Sequence, residues 1–90
     1  MILPCRRCVE LRRRVEIRSP GELTQVLRVV HAHLADGTLA ALRPTDPDDL
    51  PPEGPWPDVI GSWFRCTSCD RRFELAAETY HGSGGHWRAA

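Results

Sequence analysis

Four cysteines have the clearest potential chemistry in this sequence, and they occur as two pairs. Two residues separate Cys5 from Cys8, and two separate Cys66 from Cys69. A turn of this length directs both sulfurs toward one point, so each pair supplies half of a tetrahedral site. Thiolate sulfur suits the borderline-soft Zn²⁺ ion, and two such halves form a complete ligand set. The spacing therefore predicts one structural Zn²⁺ held by all four cysteines.

Two other uses of the cysteines stay open at this point, although both are less favoured. Two disulfides would consume the same residues, but they belong mainly to secreted proteins, and no signal-peptide pattern is found. A thioredoxin-like redox pair needs a strand before it, and residues 1–4 are too few for one. A closed set of four thiolates leaves no open coordination position, so catalysis at the metal is not expected.

The region around Cys66 and Cys69 lies between two predicted strands and resembles a zinc ribbon. The resemblance covers the two cysteine turns, or knuckles, and the hairpin around the second. It departs from the usual pattern because 57 residues separate Cys8 from Cys66, against about 15–20 in common zinc sites. A compact insertion is tolerable, since the entropy of loop closure grows slowly with length. The resemblance implies a small bacterial zinc-ribbon protein, a group that includes immunity and regulatory partners.

A helix is predicted from Pro20 to Asp36, inside that insertion. Ser19 suits the N-cap, Pro20 suits the first helical position, and Glu22 completes a capping box. Gly37 supplies a left-handed stop. Between these signals runs one apolar stripe at helical spacing, consisting of Leu23, Val26, Leu27, Val30 and Leu34.

Short strands are predicted at 14–18, 38–42, 59–66 and 72–79, and the tail after residue 80 could return as a last strand. The strand–helix–strand unit permits either a parallel crossover or a helix lying across an antiparallel sheet. We predict one α+β domain over residues 1–90, with one helix on a sheet of about four strands, stapled by the zinc. The acidic, proline-rich segment 44–58 is predicted to be an exposed loop within this domain.

Charge is segregated along the chain although the net charge is zero. Residues 1–18 carry a net charge of +4, and residues 44–59 carry −5. The N-terminal arginines suggest contacts to phosphate, although a nucleic-acid-binding ribbon usually has a net basic charge. Their alternative role is a solvated surface, partly neutralised by the acidic loop. The arginines concerned are Arg6, Arg7, Arg12, Arg13 and Arg14.

The C-terminal tail places Tyr80, His81, His86 and Trp87 around a glycine-rich segment. Aromatic residues with a polar tip are frequent in binding hot spots, so we predict an exposed or half-exposed surface for a protein partner. The alternative is a tight turn between strands, with Trp87 in the core. Acid–base chemistry through Glu78 and His81 is conceivable, but no nucleophile or phosphate-binding loop accompanies them.

The predicted function is a small, non-enzymatic, zinc-stabilised binding module that acts through a protein partner, of immunity or regulatory type. The alternatives are a nucleic-acid-binding zinc ribbon and a small enzyme that uses the C-terminal loop. His31 and His33 lie about 200° apart around the helix, so they cannot share a metal. No stretch approaches the ~18 apolar residues of a membrane span. Without a secretion signal, we expect a cytoplasmic protein.

Overall fold

One helix packs on a five-stranded antiparallel sheet in the computed structural model, which describes residues 5–82 and 84–90. This confirms the predicted α+β class, with five strands rather than about four because the tail returns as a strand. Residues 1–4 and Ser83, which entered the sequence interpretation, lie outside the described part. The elements are β1 (Val15–Ile17), α1 (Pro20–Ala35), β2 (Leu39–Leu42), β3 (Val59–Cys66), β4 (Arg72–Glu78) and β5 (Gly84–Ala89).

The strand order is β1-β5-β4-β3-β2, and each described neighbour pair is antiparallel. Helix α1 connects β1 to β2, which are the two edge strands, so it crosses one face of the whole sheet. Of the two arrangements that the sequence left open, the helix across an antiparallel sheet is therefore observed. A parallel β1–β2 pair does not form because three other strands lie between them.

Local capping fixes both ends of α1 as predicted. The Glu22 amide donates to Ser19 Oγ at 3.2 Å, which satisfies one free donor of the first turn. The Glu22 carboxylate accepts from the Arg18 amide at 3.0 Å, one residue earlier than in the usual capping box. At the other end, Gly37 adopts a φ of +84°, which ends the helix at little steric cost.

Alternation along the strands gives the sheet an inner face, covered by α1, and an open face on the opposite side. The helix buries Leu23, Leu27 and Val30 against the inner face. No residue that the structure describes on the open face is buried. The largest inner-face side chains are Phe64, Phe73, Leu75 and Trp87.

The acidic segment 44–58 is partly packed, which corrects the expectation of a wholly exposed loop. Leu50 is only 3% exposed, and Trp56 packs against the same core. Trp56 Nε1 donates to the Pro51 carbonyl at 2.7 Å, and Glu53 pairs with Arg28 of the helix rather than with the N-terminal arginines. Burial of two large apolar side chains outweighs the preference of the surrounding acids for solvent.

We expect Leu50→Ala to lower the free energy of unfolding by about 2–4 kcal/mol, because it leaves a cavity in the core. The control is Asp49→Asn, which changes an exposed neighbour and should stay within about 0.5 kcal/mol of wild type. Urea unfolding of the metal-loaded protein measures both values. Equal stability of the two variants would show that the segment is not anchored to the core.

Gly85 is a position where the fold requires glycine. A β-carbon at this residue would lie 2.6 Å from Ala77 Cα and still closer to the Ala76 carbonyl oxygen. A β-carbon at Gly61, on the open face, would have no neighbour within 4 Å. One glycine of the tail motif is therefore explained by close packing of β5 on β4.

We expect Gly85→Ala to lower the free energy of unfolding by about 1–3 kcal/mol, since the added methyl group pushes β5 away from β4. Gly61→Ala is the matched control and should be neutral or slightly stabilising, because it restricts only the unfolded chain. Thermal unfolding of both variants compares the two effects. A neutral Gly85→Ala would contradict the strand packing described above.

Candidate metal centre

The four predicted cysteine ligands come together at one end of the sheet. Cys66 ends β3 and Cys69 lies in the turn to β4, whereas Cys5 and Cys8 precede β1. All four sulfur atoms lie within 4.8 Å of one another. The Sγ–Sγ distances across the two pairs are 3.8 Å from Cys5 to Cys66 and 3.6 Å from Cys8 to Cys69.

These distances fit a tetrahedral metal ion. Zinc-bound thiolates lie about 2.3 Å from the ion, so two sulfurs at corners of the tetrahedron lie about 3.8 Å apart. All four cysteines are free thiols rather than disulfides. The four sulfur atoms could therefore hold one metal ion between the segment before β1 and the β3–β4 hairpin.

The second knuckle is fixed by backbone hydrogen bonds on both sides. The Asp70 amide donates to the Cys66 carbonyl at 2.9 Å, and the Cys66 amide donates to the Arg71 carbonyl at 2.8 Å. Asp70 adopts a φ of 63°, a left-handed conformation that aspartate tolerates better than most residues. The Thr67 amide donates to the Thr38 carbonyl at 2.9 Å, which ties the knuckle to the start of β2.

Thr38 is a contact point of both knuckles that sequence reasoning missed. It is 3% exposed, and its Oγ1 accepts from the Arg7 guanidinium at 3.1 Å. Through Thr38, the first and the second knuckle both contact the connection between α1 and β2. No sequence signal marks this role, because a threonine after a helix-ending glycine has no motif of its own.

The surroundings of the first knuckle favour the thiolate form of Cys5 and oppose the thiolate form of Cys8. Backbone hydrogen bonds from Cys8 and Arg7 lower the pKa of the Cys5 thiol to about 7. Burial raises the pKa of the Cys8 thiol to about 12. A metal ion that bound here would have to displace a tightly held proton at Cys8, so its binding would depend on pH.

Arg12 places a positive charge beside the thiol of Cys8. Its contact with the Cys8 thiol raises the pKa of the guanidinium. Among the described residues, its buried Nε has no hydrogen-bond partner. A cation at this position balances the negative charge that four thiolates bring to a metal site, so the surroundings fit a bound metal.

The prediction of an exposed tail surface is wrong for Trp87, which is 3% exposed. Its ring stacks on Phe73 with centroids 5.3 Å apart, and its Nε1 donates to the Leu11 carbonyl at 2.8 Å. Because β5 alternates its side chains, His86 lies on the open face instead, where its Nε2 is 2.9 Å from Glu74 Oε1. These two residues therefore cannot share one binding surface.

Tyr80 and His81 remain together in the turn between β4 and β5. Tyr80 is 70% exposed, and its ring meets the His81 ring edge-on at 4.6 Å. The His81 amide donates to the Glu78 carboxylate at 3.0 Å. Binding of a protein partner by this exposed pair stays a prediction.

The two helix histidines have separate partners, as their spacing requires. His31 Nε2 lies 2.7 Å from the Leu50 carbonyl oxygen. The His33 side chain is 26% exposed and lies against Asp36, with 3.3 Å from Nδ1 to Oδ2. Both residues support the fold.

The N-terminal arginines do not form one free cluster. Arg7 bonds to Thr38, and Arg12 lies beside the Cys8 thiol. Arg14 donates from Nε to the Glu16 carboxylate at 2.6 Å. Of the five arginines, only Arg12 is partly buried, and the other four are exposed. Three of the five arginines considered for nucleic acid therefore have structural contacts within the chain.

No protein-family model, curated protein or solved structure matches this chain. Within the described ranges, no helix has the length and apolar character needed to cross a membrane. The functional interpretation therefore depends on the fold and on the cysteine cluster.

Proposed function

We propose that this chain is a small, non-enzymatic binding module whose fold depends on one structural Zn²⁺ held by Cys5, Cys8, Cys66 and Cys69. The observation that carries this proposal is the convergence of four thiol sulfurs within 4.8 Å from two distant parts of the chain. A tetrahedral set of sulfur ligands suits zinc or iron. Zinc is proposed because a zinc ion can hold the two knuckles together without any redox role, whereas iron bound by four thiolates is redox-active.

The bound ion would stabilise the fold by closing the chain on itself. In the structure, residues 5–14 form no strand, and this segment is held by the knuckle contacts, by a 3₁₀ turn at Val9–Arg12 and by the buried side chain of Leu11. A structural Zn²⁺ contributes about 10–16 kcal/mol of apparent binding free energy, which appears as folding free energy when the apo site is disordered. A domain of this size has a small core, so such a contribution is a large part of its stability.

A binding role is favoured over an enzymatic one by the nature of the two candidate sites. Four thiolates complete the coordination of zinc and leave no position for a substrate. Glu78 ends β4, and His81 lies in the turn that follows, where its side chain is 74% exposed. Water screens charges at such a position, which weakens the electrostatic stabilisation that catalysis needs.

Metal removal and return tests the proposal. Chelation under reducing conditions should abolish the cooperative far-ultraviolet melting transition, and one equivalent of Zn²⁺ should restore it. A visible absorption spectrum tests whether the metal is zinc or iron, because iron bound by four thiolates absorbs visible light and zinc bound by four thiolates does not. A fold that melts cooperatively at the same temperature with and without chelator would exclude a structural role for the metal.

A further inference from the structure

The charges of this neutral chain are sorted in space. The sheet row of Leu42, Trp63, Glu74 and Arg88 divides the molecule into a metal half, which includes this row, and a loop half that contains the acidic segment. The arginines of the loop half are Arg18, Arg28 and Arg43, so nine of the twelve arginines belong to the metal half.

Four acids accompany those nine arginines, which gives the metal half a net charge of +5 and leaves −5 on the loop half. These acids are Glu10, Asp36, Asp70 and Glu74. A Zn²⁺ ion with four thiolates adds a formal charge of −2, so the metal half keeps about +3. A local basic field of this kind attracts polyanions even when the net charge is zero.

Three of these arginines lie on the open face of the sheet. Arg65 on β3 lies directly opposite Arg72 on β4, and Arg88 on β5 lies directly opposite Glu74 on β4. Their side chains are 38%, 50% and 39% exposed. They come from three strands and were not part of the N-terminal cluster that the sequence suggested.

Their acidic partners leave them accessible to a ligand. Arg65 and Arg72 both contact Asp70, at 3.8 and 3.4 Å, and the Asp70 side chain is 63% exposed. Arg88 contacts the Glu74 carboxylate through its Nε at 2.7 Å. The pairs with Asp70 are exposed and contribute little free energy, so a phosphate can replace Asp70 at Arg65 and Arg72 at small cost. The Glu74 side chain is only 20% exposed, so its contact with Arg88 is kept, and a phosphate binds the other donors of that guanidinium.

Trp63 is the aromatic residue of the open face, between Leu42 and Glu74 on the neighbouring strands. It is two residues from Arg65 on β3, and on its other side Gly61 leaves open space around its Cα. Trp63 is half-buried, and the exposed part of its indole ring lies beside arginines on the open face, where an unpaired base can stack on it.

We propose that the metal half of the open face binds single-stranded nucleic acid, with Arg65, Arg72 and Arg88 on the phosphates and Trp63 stacking on a base. This inference rests on the proposed function, because the zinc-stabilised hairpin carries Arg65 and Arg72. The arginines on this surface complement the negative charge of a phosphate backbone. Trp63 can also stack on a base, which is a contact that a purely acidic protein partner could not provide.

Fluorescence anisotropy with a labelled single strand of about 16 nucleotides tests the proposal on the zinc-loaded full chain. The triple variant Arg65→Gln, Arg72→Gln, Arg88→Gln should bind about tenfold or more weakly. The slope of log K against log salt should fall by about 2, since each phosphate contact to a single strand contributes about 0.7. The matched control is Arg18→Gln, Arg28→Gln, Arg43→Gln, which removes the same charge from the loop half and should change affinity less than about twofold. Equal losses in both triple variants would overturn the proposal.

Trp63→Leu separates stacking from charge, because leucine keeps an apolar contact with Leu42 but lacks the ring. We expect about a tenfold loss for the single strand, which corresponds to one stacked base. Polyglutamate of the same length is the control ligand and should bind weakly to every variant. Tight binding of polyglutamate, with no effect of Trp63→Leu, would instead indicate an acidic protein partner.

Two measurements on the same samples distinguish the possible failures. Metal content and melting temperature report on the proposed function, so a metal-loaded, folded chain without oligonucleotide binding overturns this inference alone. Sedimentation reports whether the basic half of one copy binds the acidic half of another. Salt-sensitive self-association without oligonucleotide binding would assign the surface to a second copy of this chain and overturn the inference.

Discussion

Replacing Cys66 with serine is expected to abolish cooperative folding of this chain. Cys66 is fully buried at the end of β3, and its sulfur lies 3.8 Å from that of Cys5. Loss of one thiolate weakens a metal site whose binding free energy, about 10–16 kcal/mol, is as large as the stability of a typical domain. We expect less than one bound zinc per chain and no sigmoidal melting transition by circular dichroism.

Ser68→Ala is the matched control for this variant, since Ser68 lies exposed in the same knuckle turn. It should keep one zinc per chain and melt close to wild type. A Cys66→Ser protein that retains both its metal and its melting temperature would show that the remaining thiols or another group hold the ion. The structural role of the cluster would then be wrong.

Trp87→Ala has the second largest expected effect, a loss of about 3–5 kcal/mol in the free energy of unfolding. The substitution removes the ring that stacks on Phe73 and leaves the Leu11 carbonyl without its indole donor. Urea unfolding of the zinc-loaded protein measures the loss. Because the Leu11 contact also holds the segment that carries Cys8, we expect weaker zinc retention against a chelator.

His86→Ala provides the comparison, because it changes the adjacent residue on the opposite face of β5. This variant loses a partly exposed contact with Glu74 and should cost no more than about 1 kcal/mol. Comparable losses for His86→Ala and Trp87→Ala would contradict the assignment of Trp87 to the core.

Local signals in the sequence were enough to predict the elements of this fold. The helix start depends on Ser19 and Glu22, and its stop depends on Gly37, all within one or two turns of the residues they control. An apolar and aromatic run predicted β3, and period-two alternation predicted β4. The spacing of the two cysteine pairs predicted which four residues converge, because that chemistry depends on residue type and short spacing alone.

Tertiary contacts decided what the sequence could not. Strand order depends on which strands pair, and β1 near the start of the sequence pairs with β5 near its end. Leu50 is buried and Trp56 is partly buried although proline and acids surround them, since their core neighbours come from other segments. The glycine-rich tail was interpreted as a surface because its density of aromatic residues is typical of binding sites. Once residues 84–89 are a strand, alternation alone separates His86 from Trp87.

The distribution of arginines shows the same limit. The sequence indicated a cluster at residues 6–14, but Arg7 contacts Thr38 and Arg12 contacts the Cys8 thiol. The arginines that share the open face are distant in sequence and become neighbours only through the register of β3, β4 and β5. A charge count along the chain cannot detect such a surface.

Zinc K-edge X-ray absorption of the protein purified under reducing conditions tests the central claim most directly. We predict one zinc per chain and a first shell of four sulfur atoms about 2.3 Å from the ion. Cys69→Ser should replace one sulfur by a lighter atom or lose the metal. A first shell of nitrogen or oxygen atoms, or a folded wild-type chain without bound metal, would contradict the proposed site.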